Sequence, residues 1–582
     1  MGCSILGEEK IMKKRIGTVL LTATLLATTI LTSLTGCGAR GGNTEEVDSK
    51  KTQLYVGYYY AGLGKEWIQQ AKALFEEKYA DKSFEEGKTG VQIVLDLDKA
   101  GLNGGDLLNT IKSKRDQVFF VENADYYSFA DEGNLKVADI TDIVTSKVDG
   151  EDITIEDKLD AKSKAYYNLG TEDSPKYYAL PYYEGVFGIN YNKDLFEQNN
   201  WYFAAGKCAD DVNLDTIDLS SLFVASAQDA KSAGPDGVEG TSDDGLPATY
   251  KDFEALLIRI KTSGSYIPMA WCGNYLTYLV EFMNTLWADA EGEEQFALNW
   301  SINGTATSLV EVKNGEVTAM PSTEISGNTG WKLHHQAGKY SALEFAKMCV
   351  SDSSYYHPDS FSSSLTHTDV QRQFVNGTGS GSQIAMLLDG NWWEVEATSW
   401  FDENENSDNA KVNRNFGFMP VPKPTKTQVG EGRTLITLNN SMAFINANTS
   451  KEIMPLAKEF LKFCHSDEVM NIFTQTTSMM RPFHYTLSDD TLSKMSAYGK
   501  EMYQLHLDAN DESKKVWIMD CYPSTEDAIR NTTLLDVKTW GWTYGSVTNP
   551  FVHFKNNPNE TAESYFNNVI NSYTISWGSV WK

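Results

Sequence analysis

The chain has 582 residues, of which 41% are hydrophobic, so it can bury several cores and is predicted to be globular. Its formal net charge of −29 argues against a nucleic-acid partner, because phosphate contacts need clustered lysine and arginine. The HExxH zinc motif, the Walker loop and the GxSxG elbow are absent from the sequence. We therefore expect no enzyme and no required cofactor.

The start of the chain has the pattern of an export signal. A basic triplet at 13–15 precedes an apolar, threonine-containing run at 16–34, which ends in Leu34-Thr35-Gly36-Cys37. This order is typical of a secretory signal, and its last four residues resemble the bacterial lipobox. Residues 1–37 are thus the predicted signal peptide. Lipidated Cys37 and a tether at 38–52 would hold the chain, by membrane lipid, on the outer face of the cytoplasmic membrane. The alternative is an uncleaved anchor, since about 20 apolar residues span a bilayer.

Strands and helices are predicted to alternate after the tether. The aromatic and β-branched runs 54–60, 91–95 and 118–121 predict strands, and helical periodicity follows the first two. Such alternation indicates βαβ units and a parallel sheet, with ligands beyond the carboxyl ends of the strands. Tyr60 and the pair Asn123 and Asp125 lie at those ends and are candidate ligand contacts.

Three blocks further along the chain occur together and in one order. The three blocks are 178–181 (YALP) with Gly188 and 191–196 (YNKDLF); 374–377 (FVNG) with 384–386 (IAM) and 389–392 (DGNW); and 416–422 (FGFMPVP) with 442–444 (MAF) and the helix 457–463. Together they resemble the extracellular solute-binding proteins of family 1, the sugar-binding lipoprotein components of ABC importers.

The resemblance implies an α/β, two-lobed periplasmic-binding-protein-like fold of type II, in which each lobe is a mainly parallel sheet flanked by helices. Residues 53–183 and 425–485 would form lobe 1, and residues 184–424 and 486–582 lobe 2. It also implies a monomer that captures an oligosaccharide, closes around it and delivers it to the membrane subunits of an importer. The alternative is a surface-anchored glycoside hydrolase or other carbohydrate-active enzyme.

Sugar recognition combines aromatic faces with planar polar side chains. The resemblance places ligand contacts at the first crossover, with Tyr183 and Glu184, and in the second block, with Asp389, Trp392 and Trp393. On a strand the two adjacent indoles would point to opposite sides, so that one contacts ligand while the other packs in the core. Trp392 is the predicted ligand contact of the pair.

Two further aromatic groups are candidates for either the cleft or a core. Trp271 and Tyr275 match the position of an aromatic block in the second lobe of the family, although Tyr275 and Tyr278 also have helical spacing. Trp540 and Trp542 alternate so that both rings would share one face of a strand. That face is either a packing layer or a platform for sugar rings.

An acidic, glycine-containing loop at 236–245 is a candidate calcium site. Asp236, Glu239, Asp243 and Asp244 could supply some of the six to eight oxygen ligands that Ca²⁺ takes, in a structural role. The loop departs from the EF-hand spacing, and the alternative is a solvated acidic turn before a helix that starts near Tyr250.

Overall fold

The computed structural model describes residues 46–97, 100–131, 133–402, 411–437, 441–521, 540 and 549–581. The predicted signal peptide, Cys37, most of the tether and Trp542 lie outside the described residues, so their predicted roles stay predictions. Within these ranges, no helix is both long enough and apolar enough to cross a bilayer.

Fifteen strands are assigned in the described residues. They are β1 (Thr52–Tyr58), β2 (Val91–Asp96), β3 (Val118–Val121), β4 (Ala179–Pro181), β5 (Phe187–Asn192), β6 (Tyr266–Trp271), β7 (Gly304–Ala306), β8 (Val310–Lys313), β9 (Glu316–Ala319), β10 (Thr323–Ile325), β11 (Gln383–Gly390), β12 (Phe416–Met419), β13 (Arg433–Thr437), β14 (Met442–Ile445) and β15 (Val516–Asp520).

The α-helices of the same ranges surround these strands. They are α1 (Glu66–Lys78), α2 (Gly104–Thr110), α3 (Tyr126–Phe129), α4 (Thr141–Val144), α5 (Ile155–Lys158), α6 (Ala161–Tyr167), α7 (Lys193–Asn199), α8 (Tyr250–Thr262), α9 (Thr277–Glu291), α10 (Glu293–Ser301), α11 (Ala337–Cys349), α12 (His367–Asn376), α13 (Trp393–Glu396), α14 (Thr398–Asp402), α15 (Met454–Phe463), α16 (Asp467–Thr477), α17 (Asp489–Lys494), α18 (Ala497–Ala509), α19 (Pro550–Asn556) and α20 (Ala562–Val580).

Two larger sheets organise the chain. The first has the order β2-β1-β3-β14-β4, with β14 antiparallel to both of its neighbours. The second has the order β12-β5-β11-β6, with β5 antiparallel to both of its neighbours. Each sheet is therefore mainly parallel with one reversed strand, and the predicted fold class is confirmed. Two-stranded pairs join β13 to β15, β8 to β9 and β7 to β10.

Two paths of the chain connect the two sheets. Residues 182–186 connect β4 of the first sheet to β5 of the second, and a second path leads from β12 of the second sheet, by way of β13, to β14 of the first. The small β13–β15 pair lies on this second path. Sheet membership alone does not fix where one lobe ends, so the lobe limits stay a prediction.

The first crossover is fastened by a buried arginine. Arg481 is fully buried, and its Nε donates to the backbone oxygen of Tyr182 at 2.9 Å. Its other nitrogens contact the Cys464 oxygen at 2.6 Å and Nε2 of His465 at 2.9 Å. Burial lowers the pKa of this guanidinium to about 10. Because Tyr182 opens the crossover, one side chain links the crossover to the segment between α15 and α16.

The start of α8 shows how local sequence sets a boundary. Thr249 accepts a hydrogen bond from the backbone of Asp252, while the Asp252 side chain accepts one from the backbone of Thr249. This reciprocal capping box satisfies two amide groups that the first turn leaves without partners. The helix consequently begins at Tyr250, as the sequence predicts.

Candidate functional site

A cavity of about 380 Å³ lies where the carboxyl ends of the first sheet face the second. Its described lining comes from both sheets and from the crossover: Tyr59, Gly62, Leu63, Glu122, Asn123, Tyr183, Gly185, Phe187, Tyr275, Thr277, Tyr278, Glu281, His367, Trp392, Glu396 and Ile436. The position agrees with the rule that open α/β sheets bind ligands beyond the carboxyl ends of their strands. We call this cavity the cleft.

The first sheet contributes polar groups directly after β3. The Tyr183 hydroxyl donates to Oε1 of Glu122, and both side chains are largely buried. Asn123 is exposed beside them with a φ of 54°, a left-handed conformation that asparagine tolerates better than most residues. The result is a carboxylate, a phenol and an amide at one wall, the planar polar groups that sugar hydroxyls need.

The second sheet contributes an aromatic wall. Trp392 is half-buried and lies edge-on to Phe187 and Tyr278, with ring centroids 6.0 Å and 6.3 Å away. A side chain at Gly62 would place its Cβ 2.7 Å from Cδ1 of Trp392, so this close approach of the first-sheet segment requires glycine. Tyr275 is 46% exposed at the rim. Both aromatic side chains are thus partly exposed where they line the cleft.

A carboxylate pair lies behind the aromatic wall. Nε2 of Gln371 is 3.1 Å from Oδ2 of Asp389 and 2.7 Å from Oε2 of Glu396. Complete burial, followed by the nearby Glu396, raises the pKa of Asp389 well above its usual range. Glu396 lines the cleft, whereas Asp389 does not. The predicted ligand contact at Asp389 is therefore a supporting residue in this structure.

Three of the predicted tryptophan contacts are core residues, because each is fully buried among other aromatic rings. Trp271 packs against Tyr356 and Phe361 at centroid distances of 5.2 Å. Trp393 packs against Phe416 at 4.9 Å. The expectation that Trp392 and Trp393 share a strand is wrong, since β11 ends at Gly390 and Trp393 begins α13. The turn still separates the two rings, one into the cleft and the other into the core.

Trp540 is the third of these core residues. Its Nε1 donates to Oδ1 of Asn284 at 2.9 Å, and its ring lies 5.5 Å from that of Trp287. Lys339 is 1% exposed beside both indoles, and its Nζ is 2.8 Å from Nδ1 of His334. Burial of this amine lowers its pKa to about 7.

We expect Lys339 to make stability depend on pH. Its pKa is about 7 in the folded chain and near 10.5 when unfolded, so the unfolded chain binds more protons between these values. The free energy of unfolding should therefore rise with pH across that window, by up to about 1.4 kcal/mol per unit. Denaturant unfolding at pH 7, 8 and 9 measures this slope. Lys339→Met should flatten it, and an unchanged slope in that variant would contradict the assignment.

The remaining predicted contacts form two groups, of which four residues line the cleft and three do not. Tyr275, Asn123, Tyr183 and Trp392 line the cleft. Tyr60, Asp125 and Glu184 do not. The Tyr60 ring lies 4.6 Å from Nζ of Lys65, Asp125 accepts from the Ser128 hydroxyl at 2.5 Å, and Glu184 is 3.1 Å from Nδ1 of His506. At the end of β1, Tyr59 rather than Tyr60 faces the cleft.

Several lining residues escaped the sequence reasoning, namely Gly62, Thr277, Glu281, His367 and Glu396. Two of them carried a usable signal: Glu281 follows Tyr278 by three residues on α9, and Glu396 follows Trp392 by four. Such spacings place side chains on one helical face. Gly62 and His367 reach the cleft by tertiary contacts that no local pattern indicates.

Carboxylates of the acidic loop accept hydrogen bonds from donors within the same loop. Asp243 accepts from the Asp236 amide at 3.1 Å and from the Thr241 hydroxyl at 2.5 Å, and Asp244 accepts from the Gly240 amide at 2.8 Å. In the part of the chain that the structure describes, the group of metal-ligating side chains that converges is Cys208, Asp210 and Asp252, outside this loop. Calcium binding by Asp236, Glu239, Asp243 and Asp244 stays a prediction.

Comparisons with known proteins agree with this architecture. Residues 61–324 match the family described as bacterial extracellular solute-binding protein. No individual curated protein matches the chain in sequence.

Solved structures extend the likeness to most of the chain. RafE from Streptococcus pneumoniae in its apo form is 12% identical, with a TM-score of 0.51, covering 91% of this chain and 99% of its own. BlMnBP1 of Bifidobacterium animalis subsp. lactis, an ABC-transporter binding protein in complex with mannobiose, is 13% identical, with a TM-score of 0.51 over 91% and 95%. A protein from work on xylan utilization by Caldanaerobius polysaccharolyticus is 14% identical, with a TM-score of 0.52 over 89% and 99%.

At sequence identities of 12–14%, the structural likeness establishes the fold alone. The match to the family rests instead on the amino-acid sequence of residues 61–324. The resemblance inferred from the three sequence blocks is thereby confirmed: this chain matches the bacterial extracellular solute-binding proteins over residues 61–324 and shares the fold of such proteins over about nine-tenths of its length.

Proposed function

We propose that this protein captures an oligosaccharide in the cleft and delivers it to the membrane subunits of an ABC importer, binding the sugar without turnover. The observation that carries the proposal is the pairing of two unlike walls. Trp392 and Tyr275 offer flat apolar faces on one side, and Glu122, Asn123 and Tyr183 offer polar groups on the other. A pyranose presents the matching surfaces, with C–H bonds on its faces and hydroxyls around its edge.

The proposed setting is the outer face of the cytoplasmic membrane, where the protein acts as a monomer attached through lipid on Cys37. The order of charge, apolar run and lipobox-like residues supports this attachment. The family of extracellular solute-binding proteins, matched over residues 61–324, supports the location outside the cytoplasm. The mannobiose complex of one structural relative and the link of another to xylan utilization support a glycan as the cargo.

Calorimetry of the mature chain against manno-, xylo-, cello- and chito-oligosaccharides of two to five sugars tests the proposal. We expect saturable binding of at least one series and, by chromatography of the recovered sugar, no cleavage. Release of shorter products from the bound glycan would favour a glycoside hydrolase instead. If no glycan bound while a peptide or a polyamine bound tightly, the proposed class of cargo would be wrong.

We further expect binding to bring the two sheets closer together. The cleft takes its walls from both sheets, so a bound sugar gains partners on both sides only when the cleft is closed. Small-angle scattering with the glycan identified by calorimetry should give a smaller radius of gyration than scattering without it. An unchanged radius at saturation would count against closure.

A further inference from the structure

The two walls of the cleft touch at a short turn after β1. Residues 61–63 form a 3-10 helix between β1 and α1. A Cβ on Gly62 would lie 2.7 Å from Cδ1 and 2.9 Å from Cγ of Trp392, and 3.1 Å from Oε1 of Glu396. Gly62 belongs to the wall of the first sheet, whereas Trp392 and Glu396 follow β11 of the second sheet. The walls therefore meet at a residue that has no side chain.

The turn is fastened to the core of the first sheet. The Tyr58 hydroxyl donates to the backbone oxygen of Gly64 at 2.7 Å and accepts from Nε1 of Trp67 at 2.8 Å. Both aromatic side chains are fully buried. Within the turn, the amide of Leu63 donates to the backbone oxygen of Tyr60 at 2.7 Å. Because these bonds hold the turn, it cannot withdraw from the opposite wall without losing buried contacts.

The Trp392 indole is confined on its own side as well. A Cβ on Gly390, the last residue of β11, would lie 2.3 Å from Cζ2 of this indole. The six-membered ring thus lies against Gly390 and the five-membered ring against Gly62. The rings of Phe187 and Tyr278 lie edge-on beside the indole. A side chain added at Gly62 would therefore meet a ring that has little room to move.

The effect of a side chain at Gly62 depends on how the walls are placed. The backbone of Gly62 lies outside the left-handed region, so alanine can adopt its conformation. The close distances all run to residues of the opposite wall. Closure about hinges changes the distance between two such walls. An added methyl group should consequently disfavour the closed cleft and leave an open one unaffected.

We propose that Gly62 is a positioning residue for the cargo: its missing side chain lets the two walls meet and sets how far the cleft closes around a bound sugar. The proposal rests on the proposed function, because closure retains a cargo only if the cleft binds one. Gly62 acts through Trp392 and Glu396, which line the cleft beside it. Walls held further apart would move both side chains away from a sugar bound to the first wall.

The binding kinetics of Gly62→Ala test the proposal, by stopped flow on the mature chain with the glycan identified by calorimetry. We expect the dissociation rate constant to rise about tenfold, because the added methyl group disfavours the closed cleft. The association rate constant should change by about twofold or less, since capture begins from the open cleft. Partial misfolding would instead lower the amplitude and leave both rate constants unchanged. Normal dissociation from Gly62→Ala would overturn the proposal.

Two further variants separate this contact from a general effect of losing a glycine. Gly379→Ala is the matched control, because a Cβ there meets no atom of the described residues within 4 Å. Its rate constants should equal those of the wild type. In a Trp392→Ala background, Gly62→Ala should raise the dissociation rate constant by about twofold or less, since the indole is gone. A tenfold rise in that background would refute the contact with Trp392.

Nuclear magnetic resonance of the glycine-labelled chain tests the contact without any glycan. The Gly62 amide resonance, assigned by its loss in Gly62→Ala, should shift in Trp392→Ala, because an aromatic ring displaces the resonances of nearby atoms. The Gly379 resonance should stay in place. An unshifted Gly62 resonance would show that the walls do not meet and would overturn the proposal. Failure of the wild-type chain to bind any glycan would refute the proposed function, whereas normal wild-type binding with normal dissociation from Gly62→Ala would refute the role of Gly62 alone.

Discussion

Replacing Trp392 with alanine should weaken oligosaccharide binding by about 1–3 kcal/mol, the usual effect of removing a buried aromatic anchor from an interface. The indole is half-buried, lines the cleft and touches Gly62 from the opposite sheet, so it meets both the ligand and the facing wall. Calorimetry measures the loss. Melting temperature should fall little, because the ring already has one side in the cleft rather than in the core.

The neighbouring residue provides a matched control. Trp393 is fully buried between Phe374 and Phe416, at centroid distances of 5.1 Å and 4.9 Å. Trp393→Ala should therefore lower the free energy of unfolding by about 3–5 kcal/mol, and the remaining folded fraction should keep its affinity. If Trp392→Ala instead lost this much stability while its folded fraction bound normally, the assignment of Trp392 to the cleft would be wrong.

Local sequence pattern predicted the parts of the fold that local physics determines. Residues 118–121 read as a strand by their apolar run, and β3 has those limits. The capping pair Thr249 and Asp252 explains the start of α8. By contrast, the run 54–60 gave a strand that extends two residues too far, since β1 ends at Tyr58 and the chain enters a short 3-10 helix at Ala61. Because the strand ends earlier than predicted, Tyr59 lines the cleft instead of the predicted Tyr60.

The candidate site could be predicted only where a residue follows a strand or a family motif. Asn123 lies two residues after the end of β3, and Trp392 belongs to the 389–392 block, so both could be predicted as lining the cleft. Trp271 was misplaced because an aromatic residue at the end of a strand suits a core and a cleft equally. The packing partners Tyr356 and Phe361 decide between these, and they come from a distant part of the chain. His367 and Glu396 depend on the same tertiary information.

Loss of Arg481 should have the largest effect on stability among the polar residues considered. Arg481→Met keeps the length of the side chain but leaves the Tyr182 and Cys464 oxygens and Nε2 of His465 without their donor. Buried acceptors without donors are unfavourable by about 1–3 kcal/mol each. We expect the free energy of unfolding to fall by about 3–5 kcal/mol, the range for breaking a buried charged network.

Equilibrium denaturation with urea measures this loss, and Arg115→Met is the matched control. Arg115 is exposed over the Tyr55 ring, so its replacement should change the free energy of unfolding by about 0.5 kcal/mol or less. Equal small losses in the two variants would show that the network around Arg481 contributes little. A large loss confined to Arg481→Met would instead mean that Arg481 holds the first crossover firmly to the segment between α15 and α16. Closure of the cleft then has to come from bending in residues 183–186 and along the second path rather than from release of this contact.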